Sequence, residues 1–342
     1  MQAASSPSTV ESGPGVLDAP EVPEAAFEVV DQVEDLLTGV GERAPERLIR
    51  PATEALTSGG KRLRPLLLIL SARMGEPGEV DLLRASTAIE VLHTATLIHD
   101  DIVDRAETRR GAPTTVAKYG REIAVATGDY LFAETFTELA EIGDPRLVRA
   151  FSEASQGLAA GELEQYRASA SGSSAADGTN VEAYLDHIRM KTAGLFKAAC
   201  VAGSTLGGLS LRQIDALATY GQALGIAFQM SDDIMDIVGK PGLMGKGIGT
   251  DLVEGTVTLP IIFALREGEA GTIQRALAAS DPSPDVLEAA IEAVLATDAV
   301  ARTEAWARGE IEAAFEGLGL LPGGPEREVL EAVAAEVVGR SA

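Results

Sequence analysis

The sequence predicts an all-α fold: one domain, a helical bundle with its function lodged in the core. Three observations point there. Leu, Ala, Glu and Val are abundant while aromatic residues make up only 4% of the chain, a composition that suits helices. Apolar residues recur at spacings of three and four, as one face of a helix requires. Few stretches alternate as a half-buried strand would, and no repeat divides the chain. With 342 residues, 46% of them hydrophobic, the chain can bury a sizeable core.

The elements follow in order. Residues 1–25, rich in Pro, Ser, Gly and Glu, read as a disordered tail. The tail lacks the basic start and apolar run of a signal peptide. The folded domain is then 26–342, with helical patterning from near Ala26. One helix is expected over 80–103, with Leu82, Ala85, Ile89, Leu92, Leu97 and Ile98 as its apolar positions. A second is expected over 211–237, with Ile214, Leu217, Leu224, Ile226 and Phe228. Residues 168–180, 239–249 and 321–326 read as flexible connections. No stretch has the apolar length of a membrane helix, so no integral membrane segment is expected and a cytoplasmic location is the default. The lone Cys200 cannot form an intrachain disulfide, which fits a reducing compartment. A net charge of −24 argues against nucleic-acid partners and against bulk attraction to anionic lipid. Most of that excess is ordinary solvated surface, yet it is compatible with a divalent-cation site.

Two acidic clusters stand out. Asp100, Asp101 and Asp104 fall at the C-terminal end of the first helix, and Asp232, Asp233 and Asp236 repeat their spacing after the second apolar helix. Residues three and four apart lie on one helical face, so each trio presents oxygens to one region. A helix C-terminus carries negative dipole charge and repels anions. Clustering carboxylates there costs free energy unless cations bind. Oxygen ligands without His or Cys point to Mg²⁺, with Mn²⁺ as the alternative. Mg²⁺ takes a carboxylate or two and completes its shell with water and substrate phosphates, so a diphosphate is the natural ligand. A single such cluster could equally be a solvated helix end; the repeat with identical spacing argues against that. Neither cluster has the alternating acids and glycine of an EF-hand.

In so acidic a chain the basic clusters carry information. The stretch GGKRLRP places Lys61, Arg62 and Arg64 after two glycines and before Pro65. A helix start of this kind leaves N–H groups free for an anion. Arg109 and Arg110 stand just beyond the first aspartates, and arginine forks match phosphate oxygens. Lys191 and Thr192 begin KTAGLF, and Lys246 lies in a glycine-rich stretch that lacks the P-loop pattern. Taken singly, each of these is an ordinary surface charge. His93, seven residues before Asp100 and on a similar face, taken alone reads as a satisfied core histidine rather than a ligand.

Together, GGKRLRP, LHTATLIHDDIVDRAETRRG, KTAGLF and FQMSDDIMD, in this order, resemble the trans-type polyprenyl diphosphate synthases from about residue 30 onward. The resemblance implies an isoprenoid synthase-like helical bundle around a deep central cavity, assembled as a homodimer. It implies that Asp100, Asp101, Asp104, Asp232, Asp233 and Asp236 bind Mg²⁺ ions bridging an allylic diphosphate. Arg109, Lys191 and Lys246 would help hold that diphosphate. Lys61, Arg64, His93 and Arg110 would bind isopentenyl diphosphate, and Thr192 and Gln229 would face the allylic substrate. Two positions depart from the family pattern: Thr250 and Thr256 stand where lysine is frequent, which implies a weaker hold on diphosphate rather than lost activity. The second aspartate motif, which related cyclases replace, favours chain elongation.

The chemistry so implied needs no protein nucleophile. The growing chain should descend from Asp100 toward the helix N-terminus. Ala95 and Thr96 lie about one turn below, and Val91 and Leu92 one turn further, at roughly 1.5 Å per residue. Short-chain relatives often close the cavity here with an aromatic side chain; Ala95 cannot. The expected product is therefore long, about C30 to C50 by analogy with the family. Phe132 or Phe136 on the following helix are candidate floors, with ordinary core packing the plainer reading of each. The alternatives are a shorter-chain synthase, farnesyl or geranylgeranyl, and a non-catalytic partner subunit of a heteromeric enzyme.

Overall fold

The computed structural model describes residues 24–109, 111–171, 180–239, 248–268, 270–279 and 281–339. The expectation of a disordered tail therefore lies outside the described residues, except for Glu24 and Ala25, which open the first helix. In chain order the helices are α1 (Glu24–Glu42), α2 (Ile49–Leu56), α3 (Leu63–Arg73), α4 (Glu79–Val103), α5 (Thr115–Tyr119), α6 (Arg121–Ile142), α7 (Pro145–Ser171), α8 (Val181–Ile188), α9 (Gly194–Leu206), α10 (Leu211–Val238), α11 (Thr250–Glu254), α12 (Leu259–Glu267), α13 (Ala270–Ala278), α14 (Pro284–Leu295), α15 (Ala299–Leu318) and α16 (Pro325–Gly339). A π-helical turn, Arg189–Ala193, joins α8 to α9. Among the described residues the only strands are β1 (Thr108–Arg109) and β2 (Ala112–Pro113), an antiparallel pair.

The fold is all-α, as expected. The two long helices read from apolar spacing are α4 and α10, each within a residue of its expected ends. Leu82, Ala85, Ile89 and Leu92 are fully buried in the main core, together with Phe151, Phe196, Tyr220 and Phe263. The other side of α4 buries Val91, Ala95, Ile98 and Ile102 in a second layer with Val33 and Leu37 of α1 and Ala124 and Leu131 of α6. Helix α4 is thus sandwiched, with apolar residues on more than one face. Helix α10 starts at a reciprocal cap between Ser210 and Gln213, which satisfies amide groups the first turn leaves over. It packs along α9 and α15. The final helix is tied back to it by Tyr220 Oη, donating to the Leu330 carbonyl at 2.7 Å, and Ser231 Oγ, donating to the Val337 carbonyl at 2.9 Å.

Two glycines allow close approaches that position the site. A Cβ on Gly225 of α10 would stand 2.6 Å from the Cα of Ala193, so only glycine lets the π turn settle onto α10. A Cβ on Gly203 would collide with the Leu68 carbonyl, so α9 and α3 pack backbone to backbone. The expected connection 168–180 is helical through Ser171, because α7 runs further than its sequence suggests. Of 239–249, only Gly239, Ile248 and Gly249 lie within the described residues.

Candidate active site

Asp100 and Asp101 point to different sides of α4, and a cavity lies on each side. The larger, about 660 Å³, includes Asp100, Thr96, Phe132 and Glu162 in its walls. The smaller, about 300 Å³, is lined by Asp101, His93, Arg109, Arg62 and Glu90. Asp101 is 4% exposed and accepts a 2.8 Å hydrogen bond from Arg109 Nε. The β1–β2 pair is what turns the chain so that Arg109 folds back on the helix it has just left. Burial pushes the Asp100 carboxyl up to about 7; Lys191 and Arg109 work against this, while Glu162 and Asp104 add to it.

The second cluster is held from several directions. Asp233 is 3% exposed and accepts from Tyr184 Oη at 2.6 Å and from Gln229 Nε2 at 2.9 Å. Burial raises its carboxyl to about 7, against the lowering effect of those two hydrogen bonds, with the charges of Asp232 and Asp236 adding to the rise. Asp236 accepts from the backbone amides of Thr250 and Asp251, both at 3.0 Å, which anchors the start of α11. Thr250, where the resemblance implied lysine, thus meets the cluster through its backbone amide.

The six carboxylates do not collapse into one cage. Among the described residues no group of three or more acidic, His or Cys side chains forms a finished cation site. The π turn bridges the clusters instead. Lys191 Nζ pairs with Glu162 at 2.9 Å. Burial lowers its pKa, but Asp100, Glu162 and Asp104 together hold it above its ordinary value. The next residue, Thr192, donates from Oγ1 to Gln229 Oε1 at 2.7 Å, and Gln229 in turn reaches Asp233. Lys191 thus interacts by charge with Asp100 of the first cluster, and its chain neighbour Thr192 is linked by two hydrogen bonds through Gln229 to Asp233 of the second. A π turn is a frequent device at functional sites, because one extra residue redirects the side chains. The donor set fits Mg²⁺ bound in its usual way: hard oxygens, a carboxylate or two per ion, and buried negative charge that a cation relieves.

The remaining expected residues are distributed as follows. Lys61 is exposed; Arg64 stacks its guanidinium 4.6 Å from the centre of the Phe196 ring. His93 stands on the wall of the smaller cavity rather than in the core. Arg110 and Lys246 lie outside the described residues. Of the length-determining candidates, Thr96 and Phe132 line the larger cavity. Ala95, 1% exposed, packs with Val91 in the second core layer, and Leu92 packs in the main core. Ala95 thus faces α1 and α6, whereas Thr96 lines the larger cavity beneath Asp100. Phe136 packs against the main core and meets Phe132 with ring centres 5.3 Å apart. Sequence reading missed Glu162, Tyr184 and Glu90, each a lone side chain that belongs to no motif.

Fold and site together define a prenyl-transferring enzyme, and the comparisons agree. The polyprenyl synthetase family model matches residues 45–294, and the chain belongs to that family. It is 36% identical over 303 residues to heptaprenyl diphosphate synthase component 2 of Geobacillus stearothermophilus, covering 86% of this chain and 91% of that one. It is 34% identical over 345 residues to nonaprenyl diphosphate synthase of Mycobacterium tuberculosis, covering 98% of each. The solved polyprenyl synthase from Caulobacter crescentus, complexed with calcium and isoprenyl diphosphate, superposes with a TM-score of 0.86 at 32% identity, covering 93% of this chain and 96% of that one. The chain is a trans-prenyltransferase of polyprenyl diphosphate synthesis. No helix among the described residues is long and apolar enough to cross a membrane.

Proposed function

We propose that this chain condenses isopentenyl diphosphate with an allylic diphosphate to give a long all-trans polyprenyl diphosphate, about C30 to C50, and that it works with Mg²⁺ as a homodimer. The observation that carries this reading is the π turn, where Lys191 faces the charge of Asp100 and the adjacent Thr192 is hydrogen-bonded through Gln229 to Asp233. It supports reading the two aspartate clusters as one diphosphate-handling site. Asp100, Asp101 and Asp104 on one side, and Asp232, Asp233 and Asp236 on the other, would hold Mg²⁺, which neutralises a diphosphate leaving group when bound.

The chain's own groups do the rest. Lys191 and Arg109 neutralise diphosphate oxygens on the allylic substrate, with Lys246 a further candidate. Lys61, Arg64, His93 and Arg110 hold isopentenyl diphosphate; the place of His93 on the wall of the smaller cavity, next to Asp101 and Arg109, supports that side for it. As the allylic carbon–oxygen bond breaks, the hydroxyl and amide dipoles of Thr192 and Gln229 face the cationic carbon. The apolar cavity walls keep water from it. The isopentenyl double bond then attacks that carbon, and the proton lost from the adduct passes to the departing diphosphate. The tail grows into the larger cavity past Thr96 toward Phe132.

A second reading has its own support. The Geobacillus relative is named as component 2 of its synthase, so this chain could be one component of a heteromeric enzyme. One experiment addresses both. The purified chain is incubated with Mg²⁺, isopentenyl diphosphate and each of three allylic primers of increasing length, and the products are weighed by mass spectrometry. A long polyprenyl diphosphate from the chain alone supports the proposal. Short products would move the chain to the farnesyl or geranylgeranyl class, and no product with any primer would favour the heteromer.

A further inference from the structure

The turn before α3 carries an unusual backbone. Gly59, Gly60 and Arg62 have φ of 79°, 156° and 46°. Glycine adopts such angles freely, but an arginine does not. A non-glycine residue persists there only where its surroundings fix it, and those surroundings are specific. Arg62 is 5% exposed. Its Nε donates to Glu34 Oε1 at 2.5 Å and its Nη2 to Glu34 Oε2 at 3.0 Å, a bidentate fork. Nη1 donates to Glu90 Oε1 at 2.7 Å, and Nη2 also reaches the Leu56 carbonyl at 2.8 Å. One guanidinium thereby ties α1, the end of α2 and α4 to the turn. Glu90 is itself 5% exposed and sits one turn before His93, on the wall of the same cavity.

Sequence reading grouped Arg62 with its basic neighbours. The structure turns it inward, while Lys61 on one side is exposed and Arg64 on the other stacks on Phe196. We infer that Arg62, clamped by Glu34 and Glu90, is a positioning residue for isopentenyl diphosphate: it fixes the 59–64 backbone so that Lys61, Arg64 and His93 stand ready around one diphosphate. The inference rests on the isopentenyl assignment proposed above. Arginine is required because its planar fork meets two carboxylates and a carbonyl at once, which a lysine ammonium cannot do. Lys191, Thr192 and Gln229, assigned to the allylic substrate, are placed by the π turn and α10 rather than by this clamp. Arg109, which shares the clamp's cavity, is held by Asp101 instead, so the allylic side should not respond to the clamp's loss.

The test is steady-state kinetics on Glu90→Gln and Arg62→Lys, with circular dichroism as a check of the fold. The expected result is a KM for isopentenyl diphosphate raised about tenfold, as loss of a charged hydrogen bond implies. The KM for the allylic diphosphate and kcat at saturation should stay within about twofold of wild type. Equal changes in both KM values and in kcat would make the clamp a general scaffold and overturn the inference. If Glu90→Gln and Arg62→Lys fail to fold, Glu34→Gln decides, since its side chain is 41% exposed: a selective rise in the isopentenyl KM supports positioning, and an unchanged value overturns it. A wild-type chain that forms no product with any primer would instead count against the functional reading itself.

Discussion

Asp233 shows how much a single carboxylate is asked to do. It is buried, it accepts from Tyr184 and Gln229, and it sits beside two further aspartates. Asp100 is in a related position on the other helix, and both carboxyls are pushed from an ordinary 3.8 up to about 7. Such groups keep their protons in the folded state where the unfolded chain has given them up. Each therefore destabilises the cation-free fold progressively as pH rises from about 4 to about 7, and the cost is fully present above that. Chelator-treated protein should melt at a higher temperature near pH 5 than near pH 8, and the Asp233→Asn variant should show a smaller difference. Calorimetry across that range checks this; a wild-type melting temperature that rises with pH, or a variant with an unchanged slope, would contradict it. At this scale the aspartates were legible because a repeated spacing is a pattern. Glu162, Tyr184 and Glu90 were not, because one acid or phenol on a helix acquires its role only from what folding brings opposite it.

At the scale of elements, α4 and the π turn decide the geometry. Helix register separates neighbours: Thr96 lines the larger cavity below Asp100, while Ala95 is sealed between α1 and α6. Thr96→Phe should shorten the product, read by chromatography of the dephosphorylated lipids, with the fold intact; an unchanged product distribution would place the ruler elsewhere. Ala95→Tyr should instead lose stability by about 1–3 kcal/mol through overpacking, measured by denaturant unfolding. Gly225→Ala addresses the π turn. Its added methyl would push Ala193 away and break the reach of Thr192 to Gln229, so turnover should fall with a stability loss of about 1–3 kcal/mol. Wild-type turnover in a folded variant would show that the turn's seat on α10 does not matter. Apolar spacing marked α4 and α10 because each carries long runs of core residues. It did not mark the π turn, since one extra residue in a helical stretch leaves the composition unchanged and depends on a close glycine from another helix.

At the scale of the molecule, the bundle brings together two helix ends more than a hundred residues apart in sequence. The resemblance implied that all six carboxylates serve one diphosphate. Among the described residues the trios form no shared cage. Between them stands the π turn, with Lys191 facing the charges of Asp100 and Asp104 and Thr192 bonded through Gln229 to Asp233, a relation that no pairwise motif could express. The helical class was legible from composition and periodicity. The separation of the cavity space by α4 was not, because it follows from both sides of that helix being packed. The central claim is that the two clusters act as one site. It is tested most directly by the rate of product formation by Asp100→Ala and by Asp233→Ala at saturating Mg²⁺ and both substrates. If the clusters work together, each variant alone should fall by about two orders of magnitude or more, since charge stabilisation of this kind is worth several kcal/mol. A near-normal rate in either variant, with its helical spectrum unchanged, would contradict the account.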